Sequence, residues 1–404
     1  MGEQLAWRRS DFFDSSSNLL REFCDVLFIS PNCAQMGVKV AITGGSGFLA
    51  AHLIKRLRAD ANVDEIRTID RKPFRQLGTI DDCPPSSVGF PPLIHFQCDL
   101  LDVAKLEKAL DGVDVLFHLA RKAFEYLFFA DQKALNDRYS RDNLEATHSL
   151  LNTIFKCSVP RLVHVGETRT KAELAGREKC GKILTNGQPF HALFLRPTFV
   201  YGEGEKRLPM ALKKVAERHG EINEIAGPSN GMLQYIYAGN LASIMAESMQ
   251  LLLSDRAENL SGTYFYCMDD TVCTKFGEFC GPFVHALGHR MGPPIVNQWA
   301  TLFKLFIEQQ IRSLCGWEVT PGGDFSAIAL RFLFNYAIGF SDRTMALNLK
   351  HRSKRGGRSE WTKRTADWIG REMGEAEEAK EVREEQRQQK KMETEGEEIV
   401  RRLG

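Results

Sequence analysis

VKVAITGGSGFLAAHLIKRLRA, residues 38–59, runs from a short apolar strand through a glycine-rich turn into an amphipathic helix. In Thr43-Gly44-Gly45-Ser46-Gly47-Phe48-Leu49-Ala50 the glycines let the backbone turn tightly and approach a pyrophosphate. The phosphate charge then lies at the positive end of the helix. Ala50 stands where a last glycine is usual, and close helix–strand packing there needs only a small residue. EIRTID (65–70) reads as the second strand, and Asp70 ends it about twenty residues after the turn, where an acid takes the adenosine ribose hydroxyls. The same charge repels a 2′-phosphate, so the site is expected to take NAD rather than NADP. Arg71 and Lys72, directly after it, are the side chains able to accept that phosphate. Asp99-Leu100, after the third strand, is placed to flank the adenine. The candidate cofactor contacts read from the pattern are Gly44, Gly47, Phe48, Leu49, Asp70, Asp99 and Leu100.

Beyond this unit, strands and helices alternate. HFQCDL (95–100), DVLFHLA (114–120), RLVHVG (161–166) and HALFLRPTFVYG (191–202) read as strands, with helices expected at 103–110 and 140–156. Such alternation predicts an α/β fold: a Rossmann-type doubly wound parallel sheet, with a smaller mixed α/β part towards the C-terminus. The expected organisation is an extension at 1–35, a dinucleotide-binding domain at 36–207, a substrate-binding part at 208–370 and a charged tail at 371–404. The tail is rich in Glu, Lys, Arg and Gln with almost no apolar face and is assigned no chemistry.

A net charge of +1 gives no general argument for nucleic acid or for an acidic surface as partner. The ten cysteines include no C-x-x-C pair, which speaks against a zinc site, and the 404-residue length speaks against a disulfide scaffold. Reduced thiols in an intracellular compartment are expected. The N-terminus has no apolar h-region, and no apolar run reaches the eighteen or so residues of a spanning helix. His285 and His289 lack a third ligand, so no metal is expected.

TGGSGFL, Asp70, HLA (118–120), DNLEAT (142–147), LRPTFVYGEGE (195–205) and YAGNLA (237–242) together resemble the extended short-chain dehydrogenases. TYFYCMDDTV (263–272), PFVHALGHRMGPPI (282–295) and RSEWTKRTADWIG (358–370) narrow the resemblance to the 3β-hydroxysteroid dehydrogenase/isomerase family, from about Val38 to Gly370. This resemblance implies NAD-dependent oxidation of a sterol or similarly apolar secondary alcohol. It adds Lys171 and Pro197 to the cofactor contacts, allows a homodimer, and implies attachment to endoplasmic reticulum or mitochondrial membranes in place of a cytoplasmic location.

The family's chemistry needs a Tyr-x-x-x-Lys pair, one helical turn apart on the same face. The lysine lowers the tyrosine pKa so that the phenol exchanges a proton with the substrate. Here Glu167-Thr168-Arg169-Thr170-Lys171-Ala172-Glu173 follows the fifth strand directly, so Lys171 matches the family lysine and Glu167 falls in the tyrosine place. No tyrosine stands between Tyr139 and Tyr201, and the loop that carries the family's hydroxyl-positioning serine is absent. A carboxylate with an ordinary pKa of about 4.3, lowered further by a lysine, is a poor proton donor and is shorter than a phenol. The chain is therefore expected to hold its cofactor and turn over poorly. Two further readings remain open: a non-catalytic NAD-binding relative, or the product of an incomplete gene model; and an extended dehydrogenase acting on another ketone or a sugar nucleotide.

Tyr201 lacks a lysine at the needed spacing and is expected to pack near the nicotinamide. Residues 295–314 place Trp299, Leu302, Phe303, Phe306, Ile307 and Ile311 on one helical stripe. Such a stripe serves either the core or a membrane surface, and peripheral membrane contact is one expectation for it.

Overall fold

Val40, Ala41, Ile42 and Thr43 are fully buried, because a parallel strand in the middle of a sheet is covered on both faces. The computed structural model describes residues 37–77, 89–127, 132–166, 170–225, 231–271, 273–295, 300, 303–304, 306–307, 310–311, 314, 325–334, 336–349 and 359–374. The extension at 1–35, Glu167, Trp299, Leu302 and the tail beyond 374 lie outside the described residues.

Seven strands form the main sheet: β1 (Val38–Thr43), β2 (Val63–Asp70), β3 (Leu93–Gln97), β4 (Val115–His118), β5 (Arg161–Val165), β6 (His191–Pro197) and β7 (Tyr264–Cys267). Their order is β7-β6-β5-β4-β1-β2-β3, and every pairing is parallel. Strand order reverses between β1 and β4, and in open sheets of this kind ligands bind at the carboxyl ends of the strands at that switch point. The sheet is thus the doubly wound parallel arrangement expected from the alternating pattern.

Five helices matter for the site: α1 (Phe48–Arg58), α2 (Val103–Leu110), α3 (Ala146–Lys156), α4 (Lys171–Arg177) and α5 (Ala238–Leu253). A π-helical turn, Ser140–Glu145, leads into α3. Alternate strand residues divide between two cores. Val40, Ile42, Val115, Phe117, Val163 and Leu193 pack with Leu53 and Leu57 of α1 and Leu241 and Met245 of α5. Ala41, Leu116, Leu162 and Ala192 face the other way, against Leu106 and Leu110 of α2 and Leu150 and Ile154 of α3. Each fully buried aliphatic side chain contributes roughly 1.5–3 kcal/mol, so a one-residue slip of register, which moves each set to the opposite core, would forfeit much of that packing.

A third core lies in the C-terminal part. Tyr235 and Phe279 stack at 3.6 Å, and Phe276, Phe283, Leu333 and Trp368 close around them. Residues 359–374 are helical and bury Trp361, Trp368 and Ile369.

Candidate functional site

Gly44 has φ +71°, and a Cβ there would stand 2.9 Å from Ala120 N. A Cβ on Gly45 would stand 2.4 Å from Cβ of Thr68. The first two glycines are therefore required by the crowded ends of β2 and β4. Gly44 N–H donates to Ile69 O at 2.8 Å, which closes the turn onto β2. Gly47 precedes α1 in an extended conformation, and neither a capping side chain nor an acidic residue serves the first turn. Gly47 N–H itself donates to Gly44 O at 2.9 Å, and the N–H groups at the start of α1, from Phe48 to Ala50, face an external acceptor in the manner of a helix start that binds phosphate.

A cavity of about 880 Å³ opens at this point, a size usual for small-molecule sites. Its walls come from the glycine turn and the start of α1, from Asp70-Arg71-Lys72, from Cys98-Asp99-Leu100, from residues 119–125 after β4, and from Gly204-Glu205-Lys206-Arg207. Gly44, Gly47, Phe48, Leu49, Asp70, Asp99 and Leu100 all lie on its wall. Lys171 and Pro197 are not among its described lining residues. Lys171 is exposed at the first position of α4, and Pro197 is half-buried at the end of β6. Tyr201 is buried between the rings of Tyr237 and Phe279, away from the cavity wall.

Asp70 is held in place by the backbone. Its Oδ2 accepts Ser46 N–H at 3.1 Å and its Oδ1 accepts Lys72 N–H at 2.9 Å. Arg71 turns away from Asp70 and donates through both terminal nitrogens to Asp142, each at 3.0 Å. Hydrogen bonding to Asp142 holds the Arg71 guanidinium above its ordinary pKa. Arg141 bridges Asp142 and Asp99, at 3.0 Å to each. Asp99 also accepts Leu101 N–H at 3.0 Å, and Leu100 O accepts the Ser149 hydroxyl at 2.6 Å, which fixes the turn after β3. The Cys98 thiol on the same wall is pushed up to about 11 by burial and is unreactive at neutral pH.

A buried chain of hydrogen bonds supports the floor. Thr147 Oγ1 donates to Asn143 O at 2.7 Å, so its oxygen accepts from His118 Nε2–H at 3.0 Å. His118 Nδ1 then accepts from the Thr43 hydroxyl at 2.7 Å, and Thr43 Oγ1 accepts Ala120 N–H at 3.3 Å. Burial, with His164 nearby, holds His118 well below the ordinary histidine pKa, so the ring is neutral and this tautomer satisfies every partner. Asn143 also brackets Lys122, accepting its N–H at 2.6 Å and donating to its carbonyl at 3.2 Å. His118 of the HLA stretch and Asn143 and Thr147 of DNLEAT have no role assigned by the sequence pattern; the signal for them is polar residues inside otherwise apolar strand and helix segments.

The wall at 204–207 is anchored from behind. Buried Glu203 accepts the Tyr237 hydroxyl at 2.7 Å and Arg364 at 2.9 Å, while its carbonyl pairs with His52 Nε2 at 3.0 Å. Trp361 stacks on Tyr237, and Lys206 pairs with Glu372. The helix at 359–374 thus clamps the loop that borders the cavity. Burial, reinforced by Glu203, pushes the Tyr237 phenol up, and burial reinforced by Glu205 does the same to Tyr126.

Helix α4, which carries Lys171, is fixed by two devices. Thr170 caps it, accepting Glu173 N–H at 3.1 Å. Glu173 and Arg196 of β6, both buried, form a two-fold bridge with Nε at 2.9 Å and Nη2 at 2.6 Å. Arg196 also lies 3.7 Å over the Tyr264 ring.

Three comparisons bear on identity. The model of the 3-beta hydroxysteroid dehydrogenase/isomerase family matches residues 41–170 and 166–298. A 3 beta-hydroxysteroid dehydrogenase/Delta 5→4-isomerase of Vaccinia virus (strain Ankara) is 22% identical over 286 residues, covering 63% of this chain and 78% of the relative. The enzyme of the same name from Monkeypox virus matches to the same extent. Among solved structures, a UDP-glucose-4-epimerase from Stenotrophomonas maltophila with bound NAD and formylated UDP-arabinopyranose is 15% identical, with a TM-score of 0.57 over 84% of this chain and 99% of that one. A dTDP-glucose 4,6-dehydratase from Streptomyces venezuelae, with NAD bound, is 16% identical, with a TM-score of 0.55 over 83% and 98%. The structural likenesses establish the shared fold. The family match spans well over half of the chain, from the glycine turn into the C-terminal part, and the chain belongs to the 3-beta hydroxysteroid dehydrogenase/isomerase family.

Proposed function

We propose that this chain binds NAD in the cavity at the carboxyl ends of β1 to β4, and that it is an oxidoreductase of the sterol or apolar secondary-alcohol class with an impaired proton-transfer step. The observation that carries this reading is the Asp70 carboxylate, held by Ser46 and Lys72 N–H groups beside an uncapped helix start. The residues fit the group. The first-turn N–H groups of α1 suit a pyrophosphate, Asp70 suits the ribose hydroxyls, and Asp99 and Leu100 flank the adenine position. Lys171 is assigned to the nicotinamide ribose and Pro197 to the ring's surroundings. Residues 36–207 then form the cofactor half and 208–370 the substrate half.

Bound there, the dinucleotide supplies a hydride acceptor. The chain itself has to take up the alcohol's proton. Glu167 holds the place of the family tyrosine, and a carboxylate near a lysine is too acidic and too short to match a phenol. Tyr126 and Tyr237 are both shifted upward, so neither offers a phenolate at neutral pH. General acid–base help is worth about 10²–10⁴-fold, and its loss leaves cofactor binding intact. The absence of any tyrosine from 140 to 200 also supports a second reading, a non-catalytic NAD-binding relative.

NADH production with a 3β-hydroxysteroid tests the reading. The chain is expected to be slow, Glu167→Tyr alone to restore little, and the tyrosine restored together with the serine-bearing loop to recover turnover. Turnover of about 1 s⁻¹ or more by the unaltered chain would overturn the assignment of an impaired site.

Peripheral membrane contact through 295–314 is part of the same proposal. Among the described residues of that segment, Phe303, Phe306, Ile307, Ile311 and Leu314 are exposed, Phe303 to 66% and Leu314 to 85%. No described helix is long and apolar enough to cross a membrane.

A further inference from the structure

The end of β2 presents two opposite signals to a nucleotide. Asp70 repels a 2′-phosphate, whereas Arg71, the next residue, is the side chain best shaped to bind one through two parallel hydrogen bonds. The guanidinium is already engaged. Arg71 Nη1 and Nη2 each lie 3.0 Å from a carboxylate oxygen of Asp142, a two-pronged geometry like that of a bound phosphate. Asp142 is held in turn by Arg141 Nη1 at 3.0 Å, and Arg141 Nη2 reaches Asp99 at 3.0 Å. Around the adenosine end of the cavity, the cations Arg71, Lys72 and Arg141 therefore face the three carboxylates Asp70, Asp99 and Asp142. Removing Asp142 leaves that end with a net positive charge, and leaves Arg71 with Asp99 at 3.9 Å and the more distant charge of Asp70.

The π-helical turn Ser140–Glu145 makes this possible. It sets Asp142 against Arg71 while its neighbour Asn143 brackets Lys122 on another wall of the cavity. Such single widened turns are frequent at functional sites. The Arg71 side chain is 52% exposed and that of Asp142 14%, so the two-pronged pair lies on the cavity wall with the arginine open to solvent.

We propose that Asp142 is a positioning residue that sets cofactor discrimination: its carboxylate occupies the Arg71 fork that would otherwise receive the 2′-phosphate of NADP. The inference rests on the reading of this cavity as a dinucleotide site and deepens it. Arg71 is on this account a latent phosphate receptor, kept from that role by an internal anion.

Calorimetric titration of the full chain with NAD and with NADP tests it. Asp142→Ala is expected to tighten NADP relative to NAD by about tenfold or more, the usual effect of a charge-assisted hydrogen bond. Asp142→Asn keeps the side-chain shape and is expected to shift the ratio in the same direction by less. Adding Arg71→Leu to Asp142→Ala should abolish the gain, and raising salt should shrink it. An unchanged NADP-to-NAD ratio in both Asp142 variants, or a gain that survives Arg71→Leu, overturns the proposal. If the unaltered chain binds neither dinucleotide, the cofactor reading itself falls, and the proposal with it.

Discussion

Thr43 Oγ1 lies 2.7 Å from His118 Nδ1, so the ends of β1 and β4 are joined by side chains one residue before the glycine turn begins. The join continues through Thr147 to the Asn143 carbonyl, and it sits at the switch point where the cavity opens. Its members are buried and their hydrogen-bonding capacity is matched along the chain. Removing one member strands another in a medium where unpaired polar groups are costly.

Thr43→Val keeps the shape and leaves His118 Nδ1 without its donor. Stability is expected to fall by about 1–3 kcal/mol in urea unfolding, with a smaller loss of NAD affinity because Ala120 N–H loses its acceptor as well. An unchanged urea midpoint would show that the ring finds another partner.

Acid should weaken the fold through the same region. Burial holds His164 at about 4 and His118 well below its ordinary value, so both rings stay neutral in the folded chain while free histidine takes a proton near 6.5. Between those values the unfolded chain binds more protons, and stability falls as pH falls. His164 alone contributes a slope of roughly 1.4 kcal/mol per pH unit from about pH 6.5 towards 4. Urea titrations across that range should show at least that slope, and His164→Phe should remove its own share while leaving that of His118.

The Glu173–Arg196 bridge ties α4 to β6 deep in the protein. Glu173→Gln leaves a buried guanidinium short of its counter-charge and is expected to destabilise by about 3–5 kcal/mol. Replacing both residues by apolar ones of similar volume should cost much less. A double-mutant cycle read by denaturant unfolding distinguishes the two outcomes.

Phe303→Glu combined with Phe306→Glu should lower co-sedimentation with phospholipid vesicles, with little effect on the melting temperature, because both rings are exposed. Equal sedimentation of variant and unaltered chain would remove this segment from any membrane role.

The strand–turn–helix at 38–58 was legible because β1 is covered on both faces from Val40 onward and Val40, Ala41 and Ile42 are apolar, while the glycines mark where β2 and β4 crowd the backbone. Asp70 and Asp99 were legible for a related reason: each ends or follows a strand of a parallel sheet, and those ends converge on one cavity. Partners distant in sequence were not. Arg71 and Asp142 are seventy-one residues apart, and nothing in local spacing tells that the arginine is engaged. The clamp of Glu203 by Tyr237 and Arg364 is hidden in the same way, since it depends on how the helix at 359–374 docks. The stripe within 295–314 has a periodicity that serves a core and a surface equally; its described members Phe303, Phe306, Ile307 and Ile311 are exposed.

Every role assigned to this site depends on the cavity beside Asp70 binding NAD. Isothermal calorimetry of the full chain with NAD and NADP tests that binding without any need for turnover. NAD is expected to bind with a dissociation constant of order micromolar, about −8 kcal/mol. NADP is expected to bind more weakly, and Asp70→Ala to lose both affinity and discrimination. A clear preference for NADP, or no binding of either dinucleotide to the folded chain, would contradict it.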